Sequence, residues 1–280
     1  MSDHARASAT APRRNRTTTP QFRALTLRLG AVALLLAAWW AVAAAEIWPP
    51  VFVPSPQSVW HQFLDTSGLS DTARPGWAGY SLGEHLLASL RRMALGCAYG
   101  IGGGLALGLL IGLVPAVGTV LGPAVTFVRT LPPLAYLSLL VIWFGIDEAP
   151  KVWLLLLAAL PPVAVATADA VRGVPADYLH AARSLGTGRA MLPWRVLLPA
   201  AAPEILTGVR LAVGVAYTTV VAAETVNGVP GIGGMIRDAQ RYNQTDVVVL
   251  GIILIGLSGL AFDGLLQLAQ RRLTPWRGRV

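Results

Sequence analysis

Few residues in this 280-residue chain are equipped for chemistry. Four histidines stand scattered at 4, 61, 85 and 180, and Cys97 is the only cysteine. One thiol excludes an internal disulfide and a cysteine-cluster metal site. The carboxylates show no paired spacing of the acid–base kind, and no Ser-His-Asp or Cys-His arrangement is recognisable, so the residues predict no metal site and no catalytic centre. The glycines at 96, 100, 102, 103, 104, 108 and 112 precede no Gly-Lys-Ser/Thr, which excludes a phosphate-binding loop. What remains is charge embedded in apolar sequence. Arg210 stands about five residues into an apolar run, and Glu224 ends that run. Arg210 either lines a polar path or is neutralised by Glu204 or Asp169. Glu224 either meets a solute or an outer gate, caps a neighbouring helix, or pairs with Arg237 or Arg241. His61 and His85 read as ordinary interfacial histidines, and Cys97 as packing.

The elements that must position these residues are membrane spans. Hydrophobic residues make up 54% of the chain and charged ones only 13%, about half the share of a soluble domain. Mean hydropathy is +0.58. The expected fold class is therefore all-α: a polytopic membrane protein with six transmembrane helices. Residues 1–24 read as a disordered basic tail, and 25–45 as a first helix, retained rather than cleaved as a signal peptide. Residues 46–83 form an outer connection in which Pro56 opens a short helix. Residues 84–270 hold a five-helix core, and 271–280 a second basic tail. Arg91 and Arg92 are expected to snorkel at the outer interface. The glycines four apart on that helix allow close helix approach. Pro132-Pro133 marks either a helix broken beside a cavity or a simple kink. The segment 224–246, with Gly228, Gly231, Gly233 and Gly234, reads as a polar outer loop.

Six spans place both ends on one side. Fifteen of the 22 basic residues fall in segments 1–28, 115–129, 172–195 and 271–280. The positive-inside rule then assigns both termini, and residues 177–199 with them, to the cytoplasm. The net charge of +8 fits basic ends facing an anionic leaflet. Basic residues are not interleaved with aromatics along any polar surface, which argues against nucleic acid.

Residues 175–199 are the longest polar interruption of the second half. On a helix starting near Pro175, Tyr178, Ala181, Ala182 and Leu185 share a face, with the alanines permitting close docking. Gly186 can end that helix in a left-handed conformation. The pattern His180-Ala181-Ala182, Gly186, Val196, Leu198-Pro199 resembles the Glu-Ala-Ala…Gly…Ile-x-Leu-Pro loop of bacterial ABC importer membrane subunits. His180 stands where that motif is acidic, and Val196 where it has isoleucine. Arg129-Thr-Leu-Pro-Pro-Leu-Ala-Tyr, Val141-Ile-Trp-Phe-Gly-Ile, Leu197-Leu-Pro-Ala-Ala-Ala-Pro-Glu-Ile-Leu-Thr-Gly-Val-Arg, Val221-Ala-Ala-Glu and Arg271-Arg-Leu-Thr-Pro-Trp resemble the taurine, alkanesulfonate and nitrate permease group. Leu273-Thr274-Pro275-Trp276 points to its taurine permeases.

The resemblance implies a type I importer (MetI-like) fold in the bacterial inner membrane, assembled as a homodimer. Cytoplasmic ABC ATPase subunits would dock on Tyr178, His180, Ala181, Ala182, Leu185, Gly186, Leu198 and Pro199. An extracytoplasmic solute-binding protein would deliver taurine or a related sulfonate, with nitrate or a small heterocycle as alternatives. The chain itself would need no cofactor, because ATP and magnesium belong to the ATPase. Arg210, Glu224, Pro132 and Pro133 would then be candidates for the translocation path, Arg210 toward a sulfonate and Glu224 toward the amine of taurine. Two other classes compete. A secondary transporter or channel predicts inverted repeats and buried ionisable pairs. A membrane-embedded enzyme predicts clustered His, Asp or Glu at one membrane face.

Overall fold

Glycine spacing sets the centre of the molecule. A computed structural model describes residues 19–69 and 76–276, and among these every regular element is helical. Helix α3 (Leu82–Leu113) carries Gly96, Gly100, Gly104, Gly108 and Gly112 on one face, against α6 (Glu148–Arg172). A Cβ added at Gly100 would stand 2.8 Å from both Ala159 Cβ and Leu156 O. At Gly104 it would meet Val163 Cβ and Leu160 O, each at 2.7 Å. Hydrogen in place of a side chain therefore sets the interhelical distance along more than four turns. Gly102 points elsewhere, with nothing within 4 Å. In lipid, where apolar surface gains little by leaving the solvent, such close backbone packing is a main source of helix association.

Helix α3 begins where its sequence says it should. Ser81 Oγ accepts from the Glu84 amide, and the Glu84 carboxylate accepts from the Ser81 amide at 2.7 Å, a reciprocal capping box. Helix α6 runs unbroken through Pro161 and Pro162. Its other flank packs on α8 (Leu198–Asn227), where a Cβ at Gly208 would collide with Ala166. Met93, Cys97, Leu155, Ala159, Val163, Ala212, Ala216 and Val220 form the core between these three helices. Cys97 is thus a packing residue.

Helix α1 (Thr19–Ala44) belongs to a separate unit that ends at Pro56, in which the Trp39 indole N–H donates to Pro54 O at 3.0 Å. Helix α2 (Pro56–Ser67) opens at the expected proline. Helix α4 (Pro115–Thr130) and helix α5 (Leu137–Phe144) are joined by Leu131-Pro132 in extended backbone and a 3₁₀ turn, Pro133–Tyr136. The helices on either side of the break meet at 93°. Pro132-Pro133 therefore breaks the segment outright and is no simple kink. Helix α7 (Ala176–Ser184) leads through a π turn, Pro193–Leu197, into α8. Among the described residues, five helices are long and apolar enough to cross a membrane, or six if the bent α4–α5 pair counts as one span.

The segment after Glu224 departs from the expected loop. Helix α9 (Ile232–Arg241) stands there, amphipathic, with Ile232, Met235 and Ala239 buried against Leu82 and Val247. Gly233 and Gly234 lie in its first turn, where side chains would strike Val221 O and the Gly228 backbone. Helix α10 (Thr245–Leu273) completes the core. Most of the predicted basic tail, residues 70–75 of the predicted outer connection, and the last four residues lie outside the described residues.

Candidate functional site

The predicted docking stretch forms one exposed feature at the end of the core where α6 stops and α8 begins. Pro175 precedes α7, and the helix closes with a Schellman arrangement. The Thr187 amide donates to Ala182 O at 3.0 Å and the Gly186 amide to Arg183 O at 2.9 Å. Gly186 sits at φ +81, a left-handed conformation that costs an L side chain roughly 1–2 kcal/mol. Leu179 and Ala182 face inward and are half-buried, whereas His180, Ala181 and Leu185 are exposed, Leu185 by 87%. Tyr178 and Pro199 meet across a cleft of about 630 Å³, which Pro175, Pro203, Glu204 and Trp276 also line. The helix thus presents a small, largely unpartnered surface beside a hydrophobic cleft. The His180 side chain projects outward and its backbone carbonyl accepts from Ser184 Oγ.

Arg210 finds a different partner from either expected acid. Its Nε and Nη2 donate to the two oxygens of Asp263 on α10, at 2.5 and 2.6 Å. Glu204 and Asp169 lie on other faces and have no ion pair with it. The pair stands on the protomer surface, with the side chains 33% and 50% exposed. It is one rung of a polar seam between α8 and α10. Tyr217 donates to Ile255 O at 2.7 Å and meets Ser258 Oγ above it, while the Gln270 amide donates to Thr207 Oγ1 at 2.9 Å below it. Pro132 is exposed and Pro133 half-buried at the α4–α5 bend.

Glu224 stands at the opposite end of the core and is completely buried. Its carboxylate accepts from Ser89 Oγ at 2.8 Å, Arg92 Nη1 at 2.7 Å and the Gly233 amide at 2.9 Å. It therefore caps α9 and pairs with Arg92, not with Arg237 or Arg241. Arg237 instead donates to the carbonyls of Thr225 and Val226. Completely buried, with three protein donors on its carboxylate, Glu224 has no free face for a solute amine.

Arg92 is the residue that the sequence reading misplaced. It does not snorkel: its side chain is 5% exposed and makes a bidentate pair with Glu148 at 2.6 and 2.8 Å, in addition to Glu224. Lys151, also buried, reaches Glu148 at 2.9 Å. Two cations and two carboxylates thus neutralise one another at the junction of α3, α6, α8 and α9. Burial on this scale requires such pairing, since an isolated ion would be prohibitive in the apolar interior. His85 extends the network: its Nδ1 meets the Gly231 amide at 3.0 Å and its Nε2 lies 3.1 Å from Trp77 O. Ser89 Oγ accepts from the Ile232 amide at 3.0 Å. The signal was present in the spacing. His85, Ser89, Arg92 and Gly96 share one helical face that continues into the glycine stripe, while Arg91 falls outside it and is exposed.

Among the described residues no group of three or more His, Cys, Asp or Glu could hold a metal ion. The arrangement offers a short exposed helix, a polar seam between two long apolar helices and a buried ionic junction. Comparison with known proteins agrees with a transport subunit. A family model described as binding-protein-dependent transport system inner membrane component matches residues 101–275. The taurine transport system permease protein TauC of Escherichia coli K12 is 41% identical over 261 residues, 93% of each chain. The putative aliphatic sulfonates transport permease protein SsuC of Bacillus subtilis 168 is 39% identical, across 69% of this chain and 70% of its own. Among solved structures, the MetNI methionine ABC transporter in an inward-facing conformation aligns with TM-score 0.54 and 20% identity, covering 69% of this chain and 94% of that one. The chain belongs to the binding-protein-dependent transport system inner membrane components, and is the permease subunit of an ATP-binding-cassette importer.

Proposed function

We propose that this permease imports taurine or a closely related small sulfonate. The observation that carries the reading is its 41% identity to the E. coli TauC permease along 93% of both chains. Two copies would pair around a common path, with both termini and α7 on the cytoplasmic side, as the basic residues favour. Each α7 would seat in a cytoplasmic ATPase that binds the ATP and magnesium, while a binding protein delivers solute at the Glu224 end. The exposure of His180, Ala181 and Leu185 supports the docking role, as does the Gly186 closure that fixes the helix end. Arg210 and Asp263 would line the path. A half-exposed ion pair this far into a span belongs beside water or protein rather than acyl chains. The α4–α5 bend at Pro132-Pro133 would border the same path, since broken spans are tolerated beside cavities. Glu224 would hold the outer ends together.

The test is uptake of labelled taurine by proteoliposomes holding this chain with its ATPase and binding protein. ATP-dependent accumulation is expected, and it should compete with ethanesulfonate. Accumulation of nitrate or a heterocycle with no response to sulfonates would overturn the substrate class. Failure of the chain to retain any ATPase on purification would overturn the docking role.

A further inference from the structure

A cleft of about 360 Å³ beside the α8–α10 seam is lined by Arg210, Gln267, Gln270, Arg271, Thr274 and Pro275. That volume falls in the range of small-molecule sites, roughly 300–1,000 Å³. The lining is unusual for a span. Asp263, Gln267 and Gln270 on α10, with Thr274 just past its end, recur at helical spacing and form one polar edge. Arg210 lies twelve residues past Leu198, about 18 Å along α8 at 1.5 Å per residue. The cleft therefore reaches from the last turn of α10 into the membrane-spanning part of the core.

The donors and charges in this cleft do not cancel. Asp263 occupies Nε and Nη2 of Arg210 and leaves Nη1 without a partner. The Arg271 guanidinium and the Gln267 amide make no hydrogen bond or ion pair among the described residues. Gln270 is committed through its amide nitrogen to Thr207 and Pro203, and Thr274 donates its hydroxyl proton to Gln270 O. Free donors thus come from Arg210, Arg271 and Gln267, with two arginines set against one aspartate. The excess is one positive charge.

We propose that this cleft binds a singly charged tetrahedral oxyanion carried on an organic tail. Guanidinium groups present forked N–H donors that match such oxygens. The single excess charge suits a monoanion, and Asp263 at the rim disfavours a dianion. Two sources supply this chemistry: the sulfonate of a solute in transit, and the phosphodiester of an anionic lipid. The place of the cleft on the inner half of a sulfonate path rests on the function proposed above; anion binding itself does not.

The test uses the full-length chain in phosphatidylcholine nanodiscs, titrated with ethanesulfonate by calorimetry. Arg271→Gln should weaken binding at least tenfold and Gln267→Leu at least threefold. Arg272→Gln, which removes the same charge one residue on and outside the cleft, should stay within twofold. Sulfate should bind more weakly than ethanesulfonate. If the wild type ignores ethanesulfonate but retains phosphatidylglycerol in native mass spectrometry, and Arg271→Gln alone loses it, the site stands with lipid as its source. Equal affinities for Arg271→Gln and Arg272→Gln, or no binding of either probe, would overturn the proposal. A chain that binds ethanesulfonate through Arg271 yet imports no sulfonate would keep the site and reject the proposed substrate.

Discussion

Replacing Glu224 by glutamine should destabilise the permease far more than its size suggests. The carboxylate oxygens of Glu224 receive three donors, from Arg92, Ser89 and the Gly233 amide, at 2.7–2.9 Å. Glutamine keeps one oxygen and brings an NH2 group of nearly the same shape. If its oxygen serves Ser89 and Gly233, the new NH2 faces Arg92 Nη1, donor against donor. If it turns over, the clash moves to Ser89 and Gly233. Either way a buried guanidinium loses one of two anionic partners, and breaking a buried pair from one side costs about 3–5 kcal/mol. For a unit of this size each kcal/mol shifts the melting midpoint by about 2–4 °C, so a loss of roughly 6–20 °C is expected. The assay is a thermal series followed by fluorescence-detected size exclusion on detergent-solubilised protein. Arg92→Leu combined with Glu224→Leu should lose less than the sum of the single changes, with a coupling of about 0.5–3 kcal/mol. A Glu224→Gln midpoint within 2 °C of wild type, or strict additivity in the double variant, would refute the ionic junction as a source of stability.

Other perturbations separate the remaining elements. Gly104→Val would press a branched side chain onto Val163 and Leu160 O, and overpacking of this kind costs typically about 1–3 kcal/mol. Its midpoint should fall by several degrees in the same thermal series, while Gly102→Ala, which meets nothing, should hold or rise slightly because alanine favours helix. Gly186→Val should leave the chain inserted but abolish ATP-dependent uptake, because it places a β-branched residue at φ +81 where α7 ends. Ala181→Trp, at an exposed position, should block ATPase retention without lowering the midpoint, whereas a bulky residue at half-buried Ala182 should affect both. Arg210→Gln should reduce uptake severalfold with little thermal change; uptake equal to wild type would remove Arg210 from the path.

The helices were legible because each span is an apolar run bounded by proline, glycine or charge, and because lipid imposes a minimum length. Helix α7 is legible for a different reason: Pro175 before it and Gly186 after it are local boundary signals whose effect does not depend on the rest of the fold. Ion-pair partners are not. Nearness in sequence and expected depth suggest Glu204 or Asp169 for Arg210, but α10 returns antiparallel to α8 and brings Asp263, 53 residues away, to its side. Arginines at a helix entrance usually snorkel, which is what the sequence predicts for Arg91 and Arg92 alike. The true partners of Arg92 lie 56 and 132 residues on. Helix α9 was hidden by its two opening glycines, which weaken helix propensity but are needed for contact with Val221 and Gly228. Those positions answer to tertiary packing, which local propensity does not encode.

The span of that ionic junction along the chain has a consequence for biogenesis. Synthesis proceeds at about 5–20 residues per second, so Arg92 is made roughly 3–11 s before Glu148 and roughly 7–26 s before Glu224. Throughout that interval α3 carries an uncompensated guanidinium on the face destined for the interior. The nascent helix must therefore wait with its first turns in the headgroup region or against the insertion machinery. It can sink to its final depth only as α6 arrives with Glu148, and it is locked there once α8 and α9 have followed. The order of synthesis thereby becomes an order of assembly.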